Sequence, residues 1–113
     1  MSRLICASEA LAEGGDGVRF ALTTPDGEQS AFVVRFDGKP RAYLNRCAHV
    51  AVELDWNPGK FFDDSGLYLI CATHGALYEA DTGHCAGGPC RGGALIPLKV
   101  LEQDGNIYLH EHE

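Results

Sequence analysis

Apolar and polar positions along the chain fall into short runs separated by turn dipeptides. No apolar run reaches 18 residues, the length a membrane-spanning helix needs. Val18–Thr23 reads as a strand that ends at Pro25-Asp26-Gly27. Ser30–Phe36 alternates and is rich in Val and Phe, Asp37-Gly38 is a hairpin signal, and Arg41–Asn45 is the returning strand. Leu67–Ile70 is a further strand. Leu77–Ala80 and His84–Ala86 flank the Asp81-Thr82-Gly83 turn, and Lys99–Glu102 with Asn106–His110 form a closing hairpin around Asp104-Gly105. The one helix candidate is Ser8–Glu13, with Ser8 as its cap. Many short strands with regular turn signals predict an all-β, antiparallel sandwich or barrel. At 113 residues the chain is expected to form a single domain, 1–113.

Two couples stand in the loops of this pattern: Cys47-Ala48-His49 and, beyond residues 50–70, Cys71-Ala72-Thr73-His74. Each loop supplies one thiolate and one imidazole. Two Cys can then bind one iron of a [2Fe-2S] centre and two His the other. Structural zinc takes the same residue types, but zinc fingers pair Cys with Cys and His with His along the chain. Further along, Gly75 follows the second His, Tyr78 lies four residues after it, and Asp81-Thr82-Gly83 and Gly87-Gly88-Pro89 come next in order.

On these residues the chain resembles the Rieske [2Fe-2S] protein family over roughly residues 30–110. The resemblance implies an all-β fold of the Rieske type, with a cluster-binding part over about residues 45–92. It implies one [2Fe-2S] cluster held by Cys47, His49, Cys71 and His74. Gly75, Ala76, Tyr78, Gly88 and Pro89 would surround it. High-potential members carry a serine two residues after the second His, and a disulfide between the ligand loops. The matching positions here are Ala76, and Val52 with Thr73, so the resemblance is to the low-potential, ferredoxin-like branch. Tyr78 is either a donor to a ligand sulfur or an aromatic packed in its strand. Two departures from the family pattern are a longer stretch between the couples, within Glu53–Gly66, and no glycine in residues 50–54.

The resemblance implies a one-electron carrier rather than an enzyme, a ferredoxin passing electrons from a flavin reductase to an oxygenase or other terminal oxidoreductase. Oxygenase members add a large domain with mononuclear iron, for which 113 residues leave no room. The alternatives are a small subunit of a larger complex, nitrite-reductase-like, and a zinc-stabilised interaction module.

Charge narrows the partners. Nine basic and sixteen acidic residues give a net charge of -7, against nucleic-acid binding and compatible with docking to a basic redox protein. Glu53, Asp55, Asp63 and Asp64 are the candidates for steering such a partner. Glu9 and Glu13 interrupt the N-terminal segment, a poor signal peptide, so the expectation is a soluble, cytoplasmic protein without membrane attachment. That location disfavours a bridge between Cys85 and Cys90, which are expected to be free, partly buried thiols. Cys6 has no visible role. His84 is expected at the surface, and His110 and His112 in a solvated tail. Trp56 and Phe61-Phe62 either cover the ligand loops or meet a partner, cover being the expectation.

Overall fold

The computed structural model describes residues 2–25, 27–47, 53–55, 59–71, 75–88, 90 and 92–110. Among them ten strands, labelled β1 to β10, form three antiparallel sheets. The first sheet has the order β1 (Ser2–Ala7), β10 (Asn106–His110), β9 (Val100–Gln103). The second runs β2 (Val18–Thr24), β3 (Gly27–Phe36), β4 (Lys39–Leu44), β8 (Pro97–Leu98). The third consists of β5 (Tyr68–Ile70), β6 (Leu77–Glu79) and β7 (Cys85–Gly87).

The middle sheet has apolar residues on both faces. Ala31, Phe32, Val33 and Val34 of β3 are all fully buried. The two-residue period sends Val33, with Ala42 of β4, into one core beside Leu11 and Ile107. It sends Phe32 and Val34, with Tyr43, into the other, beside Phe61, Leu69, Tyr78 and both Cys47 and Cys71. The third sheet is thus packed on one face of β3–β4, and Phe61 stacks on Phe32 with ring centroids 3.9 Å apart. On the other side Arg35 binds the first sheet through a two-pronged contact to Glu102, at 2.7 and 3.0 Å.

Both Asp-Gly turns form as the sequence suggests. Asp37 and Gly38 have φ of 55° and 73°, and Asp104 and Gly105 have 54° and 80°, the left-handed pair a tight two-residue hairpin demands. The Glu13 carboxylate accepts the N–H groups of Asp37 and Gly38 at 2.7 and 2.8 Å.

Three elements differ from the sequence pattern. The segment from Ser8 forms only a 3₁₀ turn, Ser8–Ala10, with no side-chain cap. Its backbone is committed elsewhere: Ser8 N–H donates to Gly105 O, and the Ser8 and Leu11 carbonyls accept from Arg35. Ser2–Ala7, to which the pattern assigns no strand, pairs with β10, and Cys6 packs partly buried against the core of Leu11 and Ile107. The closing hairpin begins at Val100, because Pro97–Leu98 joins β4 instead, at the edge of the second sheet where a proline is tolerated. Among the described residues no helix is long and apolar enough to cross a membrane.

Candidate metal centre

The first loop expected to carry ligands leaves the sheet at the end of β4. Asn45 N–H donates to Ser30 O at 2.9 Å, and Cys47 lies buried two residues on. The second leaves β5 directly at Cys71, fully buried. It is closed by Cys71 N–H to Ala76 O at 2.9 Å and Gly75 N–H to Cys71 O at 2.7 Å. That closure requires the φ of +73° at Gly75, which side chains other than glycine rarely adopt. The expected ligands His49 and His74 lie outside the described residues, as do Pro89, Val52, Thr73, Trp56 and His112.

The two thiol positions sit in one apolar cluster with Ala76, Tyr78, Leu69 and Cys90. Tyr78, on β6, is fully buried, and its hydroxyl lies 3.2 Å from Cys47 Sγ. A phenol there donates to a thiolate, which accepts only. Gly88, at φ +81°, packs so closely on the second loop that a Cβ would fall 2.9 Å from Gly75 O and 3.1 Å from Ala76 Cα. Ala76 presents no donor of its own. Tyr43, on the same side of β3–β4, donates to Ala80 O at 2.9 Å, and burial pushes its phenol up to about 12.

Cys85 and Cys90 form a disulfide, contrary to the expectation of free thiols. The short intervening segment brings their Cα atoms to 5.6 Å, within bridging range. Spacing alone could suggest this, but the assumed compartment argued against it. The bridge pins the Gly87-Gly88 segment beside the second ligand loop.

Sequence reasoning missed Asn45 and misjudged Asp55. Both are buried, and they hydrogen-bond each other at 2.9 Å, so Asp55 is no steering charge. Glu53 is engaged by Arg19 at 2.5 Å. Asp63 is half-buried, and its carboxyl is held low first by the Ser65 hydroxyl, whereas Asp64 is exposed. Phe61 is core, while His84 is exposed, as expected. An asparagine closing an apolar strand two residues before an expected ligand cysteine is the signal that could have revealed the Asn45 role.

Among the described residues no three His, Cys, Asp or Glu side chains gather as a metal site. The donor set nevertheless fits an iron–sulfur centre. Two sulfurs come from different loops into one apolar cluster, one faces a phenol, and glycine at 88 lets the third loop pack directly on the second.

A family model described as the Rieske [2Fe-2S] domain matches residues 3–107, which displaces the zinc reading of the same couples. No curated protein matches the chain by sequence. Among solved structures, it is similar to the Sphingomonas yanoikuyae B1 ferredoxin, at 20% identity and a TM-score of 0.75. That match covers 99% of this chain and 100% of the other. It is also similar to the ferredoxin of carbazole 1,9a-dioxygenase from Nocardioides aromaticivorans IC177, at 20% identity, a TM-score of 0.72 and 96% coverage of both chains. A chain from a complex of reduced oxygenase and oxidised ferredoxin of carbazole 1,9a-dioxygenase matches at 21% identity and a TM-score of 0.73. There the coverage is 96% of this chain and 91% of the other. At these identities the structural likeness is one of fold, and the family model supplies the assignment. The chain belongs to the Rieske [2Fe-2S] domain family, and its cofactor is one Rieske-type [2Fe-2S] cluster.

Proposed function

We propose that the chain is a one-electron carrier, a ferredoxin passing electrons from a flavin reductase to an oxygenase or similar oxidoreductase. The observation that carries this is mutual coverage: the chain and two ferredoxins match each other almost end to end. The complex of oxygenase and ferredoxin named for a third similar structure supports a protein partner of that kind. Residence in the cytoplasm belongs to the same reading.

In this reading Cys47 and Cys71 bind as thiolates, and His49 and His74 through neutral ring nitrogens. The cluster supplies a site that takes up and returns one electron. The chain's part is to hold it and set its poise. Tyr78 donates to the Cys47 sulfur, and a hydrogen bond to sulfur favours the reduced, more negative state. Leu69, Ala76 and Cys90 exclude water from the buried side. The disulfide and the Gly88 contact keep the third loop closed over the second. The His49 and His74 imidazoles are proposed as the edge over which a partner docks.

The test is ligand substitution in the holoprotein. Cys47→Ser, Cys71→Ser, His49→Ala and His74→Ala should each abolish the Rieske-type electron paramagnetic resonance signal of the reduced protein. Persistence of that signal in His49→Ala would falsify the ligand assignment. Reduction of the parent by a flavin reductase, followed by oxidation by an oxygenase in stopped flow, tests the carrier role separately.

A further inference from the structure

Apart from cysteine and tyrosine, Asn45 and Asp55 are the only buried polar side chains among the described residues. They stand at the two ends of the first ligand loop, before Cys47 and after residues 48–52. The Asp55 side chain has no solvent exposure. Polar groups so placed must be hydrogen-bonded to be tolerated, and here each of the four side-chain oxygen and nitrogen atoms has a partner. Asn45 Oδ1 accepts from Leu54 N–H at 2.8 Å, and its Nδ2 donates to Asp55 Oδ1 at 2.9 Å, with Ser30 Oγ at 3.5 Å. Asp55 Oδ2 accepts from Gly59 N–H at 2.9 Å, and Arg19 Nε lies 3.5 Å away. The result is a polar clasp that ties the end of β4 to the far end of the loop.

The stability of the fold alone gives little reason for such a clasp. Phe32, Val34, Phe61 and Leu69 on that side pack as an apolar cluster, and a loop base can be closed by such packing with no desolvation penalty. What hydrogen bonds add is direction. The Asn45 amide is fixed by an acceptor on one side and a donor on the other, so it sets where the loop starts and returns. Cys47 lies two residues from Asn45, and its sulfur must meet the Tyr78 hydroxyl carried by a different sheet.

We propose that Asn45 and Asp55 are a positioning pair for the cluster: their clasp fixes the first ligand loop so that Cys47 and His49 meet the second loop in register, and it governs how firmly and with what electronic symmetry the cluster is held. This rests on the reading of Cys47 and His49 as ligands. Neither member of the pair touches the cluster, and both act through the loop.

The experiment compares three holoproteins: the parent, Asn45→Ala, and the double exchange Asn45→Asp with Asp55→Asn. Asn45→Ala removes the clasp without changing charge. The double exchange rebuilds it with reversed polarity. A carboxylate at position 45 accepts from Leu54 N–H and from the amide now at position 55, whose oxygen accepts from Gly59 N–H. Cluster loss to a ferrous chelator should be about tenfold faster in Asn45→Ala, the lower end of what outer-sphere partners contribute to metal retention. Its reduced-state resonance should broaden or shift. The exchanged protein should return both to within about twofold of the parent. If Asn45→Ala melts at lower temperature while its chelation rate and resonance match the parent, the clasp only braces the loop and the proposal fails. Should Asn45→Ala not fold, Asn45→Ser, whose hydroxyl can still accept from Leu54, carries the same two readouts, and unchanged values there also overturn it. A wrong ligand assignment shows instead in His49→Ala, independently of this series.

Discussion

At the level of single residues, Tyr78, Ala76 and Gly88 shape the surroundings of the two buried cysteines. Tyr78 is buried with its hydroxyl 3.2 Å from the Cys47 sulfur, and to a thiolate ligand there it donates a hydrogen bond that differs between redox states. Tyr78→Phe should lower the midpoint potential. A differential of about 1 kcal/mol corresponds to roughly 40 mV for one electron, read by spectroelectrochemistry. With Ala76 in place of a donor, the parent midpoint should itself lie near the low end of the Rieske range, about -150 mV. Ala76→Ser should raise it, and a parent value well above zero would contradict this. Gly88→Ala places a Cβ 2.9 Å from a backbone carbonyl at a φ of +81°. It should shed the cluster without altering the far-ultraviolet circular dichroism of the sheets. The identities of Cys47, Cys71, Tyr78 and Gly88 are legible in the sequence because a motif is a matter of residue type and order. That Tyr78 meets Cys47 rather than Cys71 is not legible, because the meeting depends on how the third sheet lies against β4.

Among the elements, most strands are visible in the chain because each follows one local rule: alternation, β-branched content and a glycine turn. The failures occur where the partner decides. Ser2–Ala7 carries no strong alternation and becomes a strand because β10 offers it an edge. The segment after Ser8 has a helix-start signal, but its backbone groups are taken by Arg35 and Gly105. The third loop shows the same lesson in covalent form. The Cys85–Cys90 bridge closes a very small ring, for which the chain-entropy relation gives roughly 2 kcal/mol. Cys90→Ser should therefore lower the melting temperature of the holoprotein by up to about ten degrees. Mild reduction of the parent should reproduce the shift. An identical melting curve with and without reductant would show that packing of Cys90 alone holds the loop.

Across the molecule as a whole, charge acts through a few ties and one long-range field. Arg35, its side chain only 15% exposed, binds Glu102 across two sheets and holds the Glu102 carboxyl well below its ordinary value of 4.5, at about 2. A depressed carboxyl contributes stability that is present above its unfolded value and is lost as pH falls through the folded one. The contribution of this pair should therefore fade between about pH 4.5 and about pH 2. Glu102→Gln should lower the melting temperature at pH 7 but not at pH 2, which differential scanning calorimetry can read. The long-range field comes from the net charge of -7. With Asp55 buried and Glu53 tied to Arg19, the steering role narrows to Asp63 and Asp64. Asp63→Asn with Asp64→Asn should slow reduction by a basic reductase at low salt and leave the rate unchanged at high salt, where screening already removes the effect. Asp55→Asn should instead weaken cluster retention at every ionic strength.

Residue type and order alone point to the chemistry, since the mixed Cys-His order of the two couples suits a [2Fe-2S] centre rather than a zinc finger. They also set the all-β character, because alternation and Asp-Gly turns are written residue by residue. Everything that depends on a second segment's position was settled only by folding. The fold draws Asp55 out of the acidic loop and into the interior beside Asn45, joins Cys85 to Cys90, and splits β3 between two cores. The physical reason is common to all three. Burial, pairing and desolvation are properties of a residue's surroundings, and those surroundings come from parts of the chain that local pattern does not connect to it.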